Sequence, residues 1–139
     1  MKRKKKSLKK LAWEAFSRYI RLRDCINTTG SPDFGYCITC REAFPYSKLQ
    51  AGHYIPGRGN AVLFDEDGVN AQCTQCNIFK HGDPITYREV LVEKFGEDFV
   101  KLMELKRHIS IKMRAKDYNL IRISYEKKAE ELQEALCNS

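Results

Sequence analysis

The sequence predicts an α+β fold, on three observations. Two Cys-x-x-Cys pairs, Cys37/Cys40 and Cys73/Cys76, have 32 residues between them. Two short strand-like segments sit between them, and amphipathic stretches stand at both ends of the chain. Two such pairs can supply four thiolates to one tetrahedral zinc, and the separation leaves room for a hairpin. Four thiolates leave no open position for water, so this zinc is expected to be structural. The basic N-terminus is not followed by an apolar stretch with a cleavage site, and close Cys-x-x-Cys pairs then read as ligands rather than disulfides. Cys25 and Cys137 have no spaced partner and read as ordinary thiols.

The elements follow from local pattern. Ser7 is placed to cap a first helix to about Arg23, with Leu8, Leu11, Ala12, Ala15, Phe16, Tyr19 and Leu22 at three- and four-residue spacing. Residues 27–35 are turn chemistry. A strand is expected over 49–55, then a loop marked by Pro56, Gly57, Gly59 and Asn60, and a second strand over 69–72. A helix should begin near Asn77 and break at Gly82. Asp83 as cap and Pro84 in the first turn open the next, which ends by Phe95 and Gly96. Residues 98–107 read as a further helical piece, and 118–136 as a final amphipathic helix capped by Asp117. Leu120, Ile123, Leu132 and Leu136 form a rough stripe on it, either a homodimer face or packing against the body of the monomer.

The chain has 139 residues, of which 42% are hydrophobic and 31% charged, a balance that argues against a membrane protein. The net charge of +7 is uneven: Lys2, Arg3, Lys4, Lys5, Lys6, Lys9 and Lys10 precede any acid, and the remaining 18 basic residues balance 18 acidic ones. Residues 1–10 therefore read as a basic arm, 11–107 as the zinc-bound domain with its flanking helices, and 108–139 as a helical extension. The arm suits a phosphate backbone, where each paired lysine releases a counterion. As a solubilising tail it would need no partner.

Chemistry is expected between the cysteine pairs. The order is Ala51-Gly52-His53-Tyr54, then Asn70-Ala71-Gln72-Cys73, then Cys76-Asn77-Ile78-Phe79-Lys80-His81. Phosphodiester hydrolysis needs a base, and histidine titrates nearest neutrality. It also needs a cation to offset developing charge. His53 is the candidate base. Asn77 and His81, four apart on a helix, would share one face and could bind one divalent ion. In simpler terms, Asn77 caps a helix and His81 is an exposed helix-end histidine. Arg58 in the intervening loop is a candidate phosphate contact.

This order resembles the HNH, or His-Me finger, nucleases, in which a zinc-stabilised, treble-clef-like ββα-metal core carries a histidine, an asparagine and a metal-bearing helix. The resemblance implies that Asn70 orients His53 or braces the loop. Many such enzymes carry an acidic metal ligand just before the histidine. Here that position is Gly52, so Asp65, Glu66 or Asp67 would have to fold in. More closely, Tyr19-Ile-Arg-Leu-Arg-Asp24, Gln50-Ala-Gly-His-Tyr54, Asn70-x-Gln-Cys-x-x-Cys-Asn77 and Gly82-Asp-x-x-x-Tyr-Arg88 together resemble the NinG (Rap) recombination proteins of lambdoid phages, where Ala-Gly-His is a family trait. That resemblance implies a phage or prophage protein in a bacterial cytoplasm. It also implies an endonuclease acting on branched DNA such as Holliday junctions and D-loops, with magnesium or manganese as the catalytic ion beside the structural zinc. The alternatives are a nonspecific or nicking HNH endonuclease, a zinc-dependent nucleic-acid-binding module without catalysis, and a structural zinc protein that binds a protein partner.

Overall fold

The computed structural model describes residues 5–138. Lys2, Arg3 and Lys4 of the basic arm lie outside them. Helix α1, Leu8–Thr29, opens with the Ser7 hydroxyl accepting from the Lys10 N–H and closes at Gly30, whose φ of 78° is left-handed. It takes in Lys9 and Lys10, which the sequence placed in the arm. It also runs six residues past its expected end at Arg23. Asn27, Thr28 and Thr29 look like turn formers, but the two threonine hydroxyls donate back to the carbonyls of Asp24 and Cys25 at 2.7 and 2.8 Å and stay within the helix.

A small antiparallel pair, β1 (Phe34–Tyr36) and β2 (Ala43–Pro45), brackets the first cysteine knuckle. Three-residue strands show no readable alternation, which is why the pattern pointed only to a turn. The central pair is β3 (Leu49–His53) with β4 (Val69–Cys73), in the register Leu49↔Cys73 through His53↔Val69. Side chains alternate across it. Leu49, Ala51, Ala71 and Val69 pack with Phe16, Ile20 and Cys25 of α1. Gly52, Asn70 and Gln72 belong to the opposite face. Tyr87, fully buried on α3 (Pro84–Phe95), donates there to the Gly52 carbonyl at 2.7 Å.

β4 has no strand on its outer side, yet its backbone groups are satisfied. The Asp24 carboxylate accepts from the Ala71 N–H at 2.7 Å, the Ile38 N–H donates to the Ala71 carbonyl at 3.0 Å, and Arg23 donates to the Val69 carbonyl at 3.0 Å. Arg23 also pairs with Asp24 at 2.9 Å, both side chains mostly buried. The Arg-Asp end of α1 thus closes a sheet edge that would otherwise be open to another chain.

Between the central strands one helical turn, α2 (Asn60–Leu63), buries Val62 and Leu63. Asp83 does precede α3, but its side chain makes no capping bond; Pro84 occupies the first turn as expected. After Gly96 follows α4 (Glu97–Leu105), and Arg88 of α3 bridges Glu97 and Glu104 on it. Helix α5 (Ala115–Cys137) starts three residues early, because Asp117 reaches back to the Arg114 N–H from the third helical position instead of capping in its own right. It lies along α1, with the Tyr125 ring edge-on to Phe16 at 4.8 Å and Ala129 fully buried. The leucine-isoleucine stripe does not form one face: Leu132 and Leu136 are half-buried, while Leu120 and Ile123 are exposed.

Asp24→Ala leaves the Ala71 N–H and the Arg23 Nε–H without their acceptor. It is expected to cost about 3 kcal/mol of stability, and Asp24→Asn distinctly less, because the amide keeps an oxygen for Ala71. Urea unfolding midpoints of the three proteins measure this.

Candidate metal centre and the site beside it

The sulfur atoms of Cys37, Cys40, Cys73 and Cys76 all lie within 4.8 Å of one another. Among the described residues they are the group of His, Cys, Asp and Glu side chains gathered closely enough for a metal. Cys40 and Cys73 sulfurs are 3.9 Å apart, far too long for a disulfide and close to the roughly 3.8 Å between tetrahedral ligands on ~2.3 Å zinc–sulfur bonds. Burial opposes ionisation of Cys37, but the Thr39 hydroxyl, 3.4 Å away, and backbone N–H groups of the knuckles outweigh it and lower the thiol to about 7. Burial and the neighbouring Cys37 push Cys40 up to about 12. One thiolate is thus welcomed and the next resisted, an imbalance that a divalent cation among the four would remove. The donor set fits a structural zinc held by Cys37, Cys40, Cys73 and Cys76.

The metal centre is tied to the hairpin by Gln72. This fully buried side chain donates to the Gly82 carbonyl at 2.8 Å and to the Thr39 hydroxyl at 3.2 Å, and Thr39 in turn meets Cys37. To do so the amide lies across Gly52, where a Cβ would fall 2.0 Å from its oxygen. That oxygen, Oε1, has no hydrogen-bond partner among the described residues. Its close neighbour is the Gly52 α-carbon, a weak C–H···O contact at best. The space that a side chain at position 52 would take is filled here by the Gln72 amide.

His53 ends β3. Its ring stacks on Trp13 of α1 with centroids 4.9 Å apart and a 24° interplanar angle, and Nε2 is 3.2 Å from the Leu63 carbonyl. With Nε2 donating there, the neutral ring leaves Nδ1 as its acceptor. Burial, reinforced by the Arg58 charge, lowers the His53 pKa against the pull of the Leu63 carbonyl and Asp65, so the ring is neutral at pH 7. Sequence reasoning missed Trp13 and Leu63. An aromatic on an amphipathic helix reads as core, and a carbonyl carries no residue signature at all.

The candidate residues are not gathered at one point. Asn70 makes no hydrogen bond with His53. Its amide donates to the Tyr87 hydroxyl at 3.1 Å and its oxygen accepts from Arg23 at 3.3 Å, so it braces the Gly52 backbone through Tyr87. Asn77 donates to Gln50 Oε1 at 2.8 Å, linking the turn after the second knuckle to β3. The helix expected from Asn77 is a single wide turn, Gln75–Phe79. His81 beyond it is exposed and left-handed at φ 53°, so Asn77 and His81 do not share a helical face. This wide turn follows directly on the second cysteine knuckle, and Gly82 then takes the chain back under Gln72. Lys9 donates to the Arg58 carbonyl at 2.7 Å, which brings two of the candidate phosphate contacts together. Lys6 pairs instead with Glu14 at 2.8 Å. The loop acids are engaged elsewhere: Asp65 with Lys106 at 3.0 Å, and Glu66 with Lys128 at 3.2 Å and Tyr125 at 3.1 Å, while Asp67 is exposed.

Residues 1–135 match the family model described as the bacteriophage lambda NinG protein. The chain is 30% identical over 129 residues to protein ninG of Salmonella phage P22, covering 91% of this chain and 58% of the relative. It is 28% identical over 125 residues to protein ninG of Escherichia phage 933W (89% and 57%), and 27% identical over 125 residues to protein ninG of Escherichia phage lambda (89% and 56%). The chain thus spans less than two thirds of the length of these curated relatives. No solved structure matches. Among the described residues no helix is long and apolar enough to cross a membrane.

Metal analysis is expected to find one zinc per chain, and Cys73→Ser to lose it together with cooperative thermal unfolding. Gly52→Ala should cost about 1–3 kcal/mol through the clash with Gln72. Adding Gln72→Ala should recover part of that loss even though Gln72→Ala alone destabilises. A double-mutant cycle in urea reads the coupling.

Proposed function

The chain belongs to the NinG family, and from that premise we propose that it is a metal-dependent DNA endonuclease of the HNH type, hydrolysing phosphodiesters in branched recombination intermediates such as Holliday junctions and D-loops. The observation that carries the reading is His53: a histidine at the end of a zinc-clamped hairpin, neutral at pH 7, with one ring nitrogen held by the Leu63 carbonyl and the other left to accept a proton. In that role Nδ1 takes the proton of the attacking water. Magnesium or manganese, when bound, offsets charge on the phosphate and the leaving oxygen. Asn77 is its first candidate ligand, because the amide nitrogen is engaged by Gln50 and Oδ1 remains available. His81 would approach from the following turn. Asn70 is a positioning residue acting through Tyr87 on the backbone that carries His53. Lys9 and Arg58 would contact the DNA backbone beside the base, with the remaining N-terminal lysines tracking it further.

One observation favours a second reading, a zinc-dependent nucleic-acid-binding module without catalysis: Gln72 occupies the place of the missing carboxylate at Gly52, and Asp65 and Glu66 are engaged elsewhere.

Wild type and His53→Ala, incubated with a four-way junction and a linear duplex of matching sequence in magnesium and in manganese, decide between them. The wild type is expected to nick the junction preferentially, and the variant to be slower by roughly 100-fold or more. Because burial holds the His53 pKa below its usual 6.5, the rate should stay level from pH 8 to 6.5 and decline only at lower pH, as the base protonates. No nicking in either metal, or full rate in the variant, overturns catalysis. Equal cutting of both substrates overturns branch selectivity.

A further inference from the structure

Beside the His53–Trp13 stack, between α1 and β3, lies an open groove of about 350 Å³. Trp13, Ser17 and Arg21 line it from the helix, and Gln50 and Asn77 from the hairpin and the turn after the second knuckle. None of its lining residues is acidic. The Arg21 guanidinium is held in place from two sides: Nε donates to the Ser17 carbonyl at 3.2 Å, and the plane rests on the Tyr46 ring, 4.6 Å from its centroid. Its terminal nitrogens have no partner among the described residues, and the nearest acid along the helix, Asp24, is engaged by Ala71 and Arg23. Gln50 and Asn77 brace each other across the groove floor.

An oriented guanidinium with free terminal donors, a pair of side-chain amides and an indole wall, with no carboxylate among them, make a surface for a planar ring carried on a phosphate. We infer that this groove seats one nucleotide of a DNA strand, its phosphate on Arg21 and its base or sugar against Trp13. The assignment rests on the proposed DNA substrate for the identity of the polymer and on the groove itself for everything else. Its volume falls in the range of ordinary small-ligand clefts, and an aromatic beside a basic group is the arrangement by which single strands are held without sequence preference. Because the same indole stacks on His53, a strand seated here runs directly past the candidate base.

Trp13 is the single tryptophan of the chain, so its emission reports occupancy without any turnover. Zinc-loaded protein, without added magnesium or manganese, is titrated with the pentanucleotide dT5, with inorganic phosphate and with thymidine. A saturable change in Trp13 emission is expected with dT5, and much weaker binding of phosphate or thymidine alone. Arg21→Gln should raise the dT5 Kd about 10-fold and lower the salt slope by about one, with Arg21→Lys intermediate because it keeps the charge and loses the fork. Binding that leaves Trp13 emission unchanged, or equal affinity in wild type and both Arg21 variants, overturns the assignment. The two proposals fail separately. Arg21-dependent dT5 binding without nicking in either metal sinks the nuclease and leaves the groove standing. Junction nicking with Arg21-independent binding does the reverse.

Discussion

Gln72 lies flat over Gly52, and much of the site is arranged around that contact. A glutamine buried at the centre of a two-stranded sheet must find partners for its amide, since an unmatched polar group there costs several times what a made bond returns. It finds them on both cysteine knuckles: the Gly82 carbonyl after the second and the Thr39 hydroxyl inside the first. The side chain can cross the sheet only because residue 52 has no Cβ. The same contact excludes an acidic side chain from position 52, so any ion at the site must be held without one there. The unpaired Oε1 is the cost of the arrangement.

Helix α1 supplies the second fastening. Arg23 and Asp24, with the Ile38 N–H, close the outer edge of β4, and Arg23 reaches on to Asn70, which steadies the Gly52 backbone through Tyr87. Eleven residues earlier on the same helix Trp13 packs on His53. The helix therefore meets both faces of the central hairpin, one through hydrogen bonds around its edge and the other through ring stacking. Helix α5, latched by Lys128 and Tyr125 on Glu66, backs α1 from outside.

The resulting site is unusual in polarity. Its candidate base is a neutral, half-buried histidine, its candidate cation ligand an amide, and two of the three loop carboxylates, Asp65 and Glu66, are paired with lysines. On the proposed function, phosphate oxygens of the substrate would complete the coordination shell of a divalent ion held there. The four cysteines, by contrast, are gathered closely enough to enclose a metal such as zinc.

Much of this was legible in the chain. Cysteine spacing declared the metal cluster because a knuckle is local, and Asp83-Pro84 and Gly96 marked α3 at both ends because turn and cap preferences act over a few residues. Ser7 likewise announced the start of α1. What the sequence could not disclose depends on partners far along the chain. Thr28 and Thr29 looked like a turn, but the hydrogen-bonding choice of a hydroxyl is settled by its surroundings. The three-residue strands β1 and β2 are too short to carry a period. Asn77 and His81 looked like neighbours on a helix, yet the chain makes a wide turn after the second knuckle and leaves His81 left-handed and exposed. The sequence by itself determined which residue types are present for metal, base and phosphate. Only the tertiary structure decided that Trp13 and the Leu63 carbonyl hold His53, that Asn70 serves the backbone, and that Gln72 fills the place of an acid. Those are contacts between segments 10 to 40 residues apart, set by how the strands and helices pack rather than by any local preference.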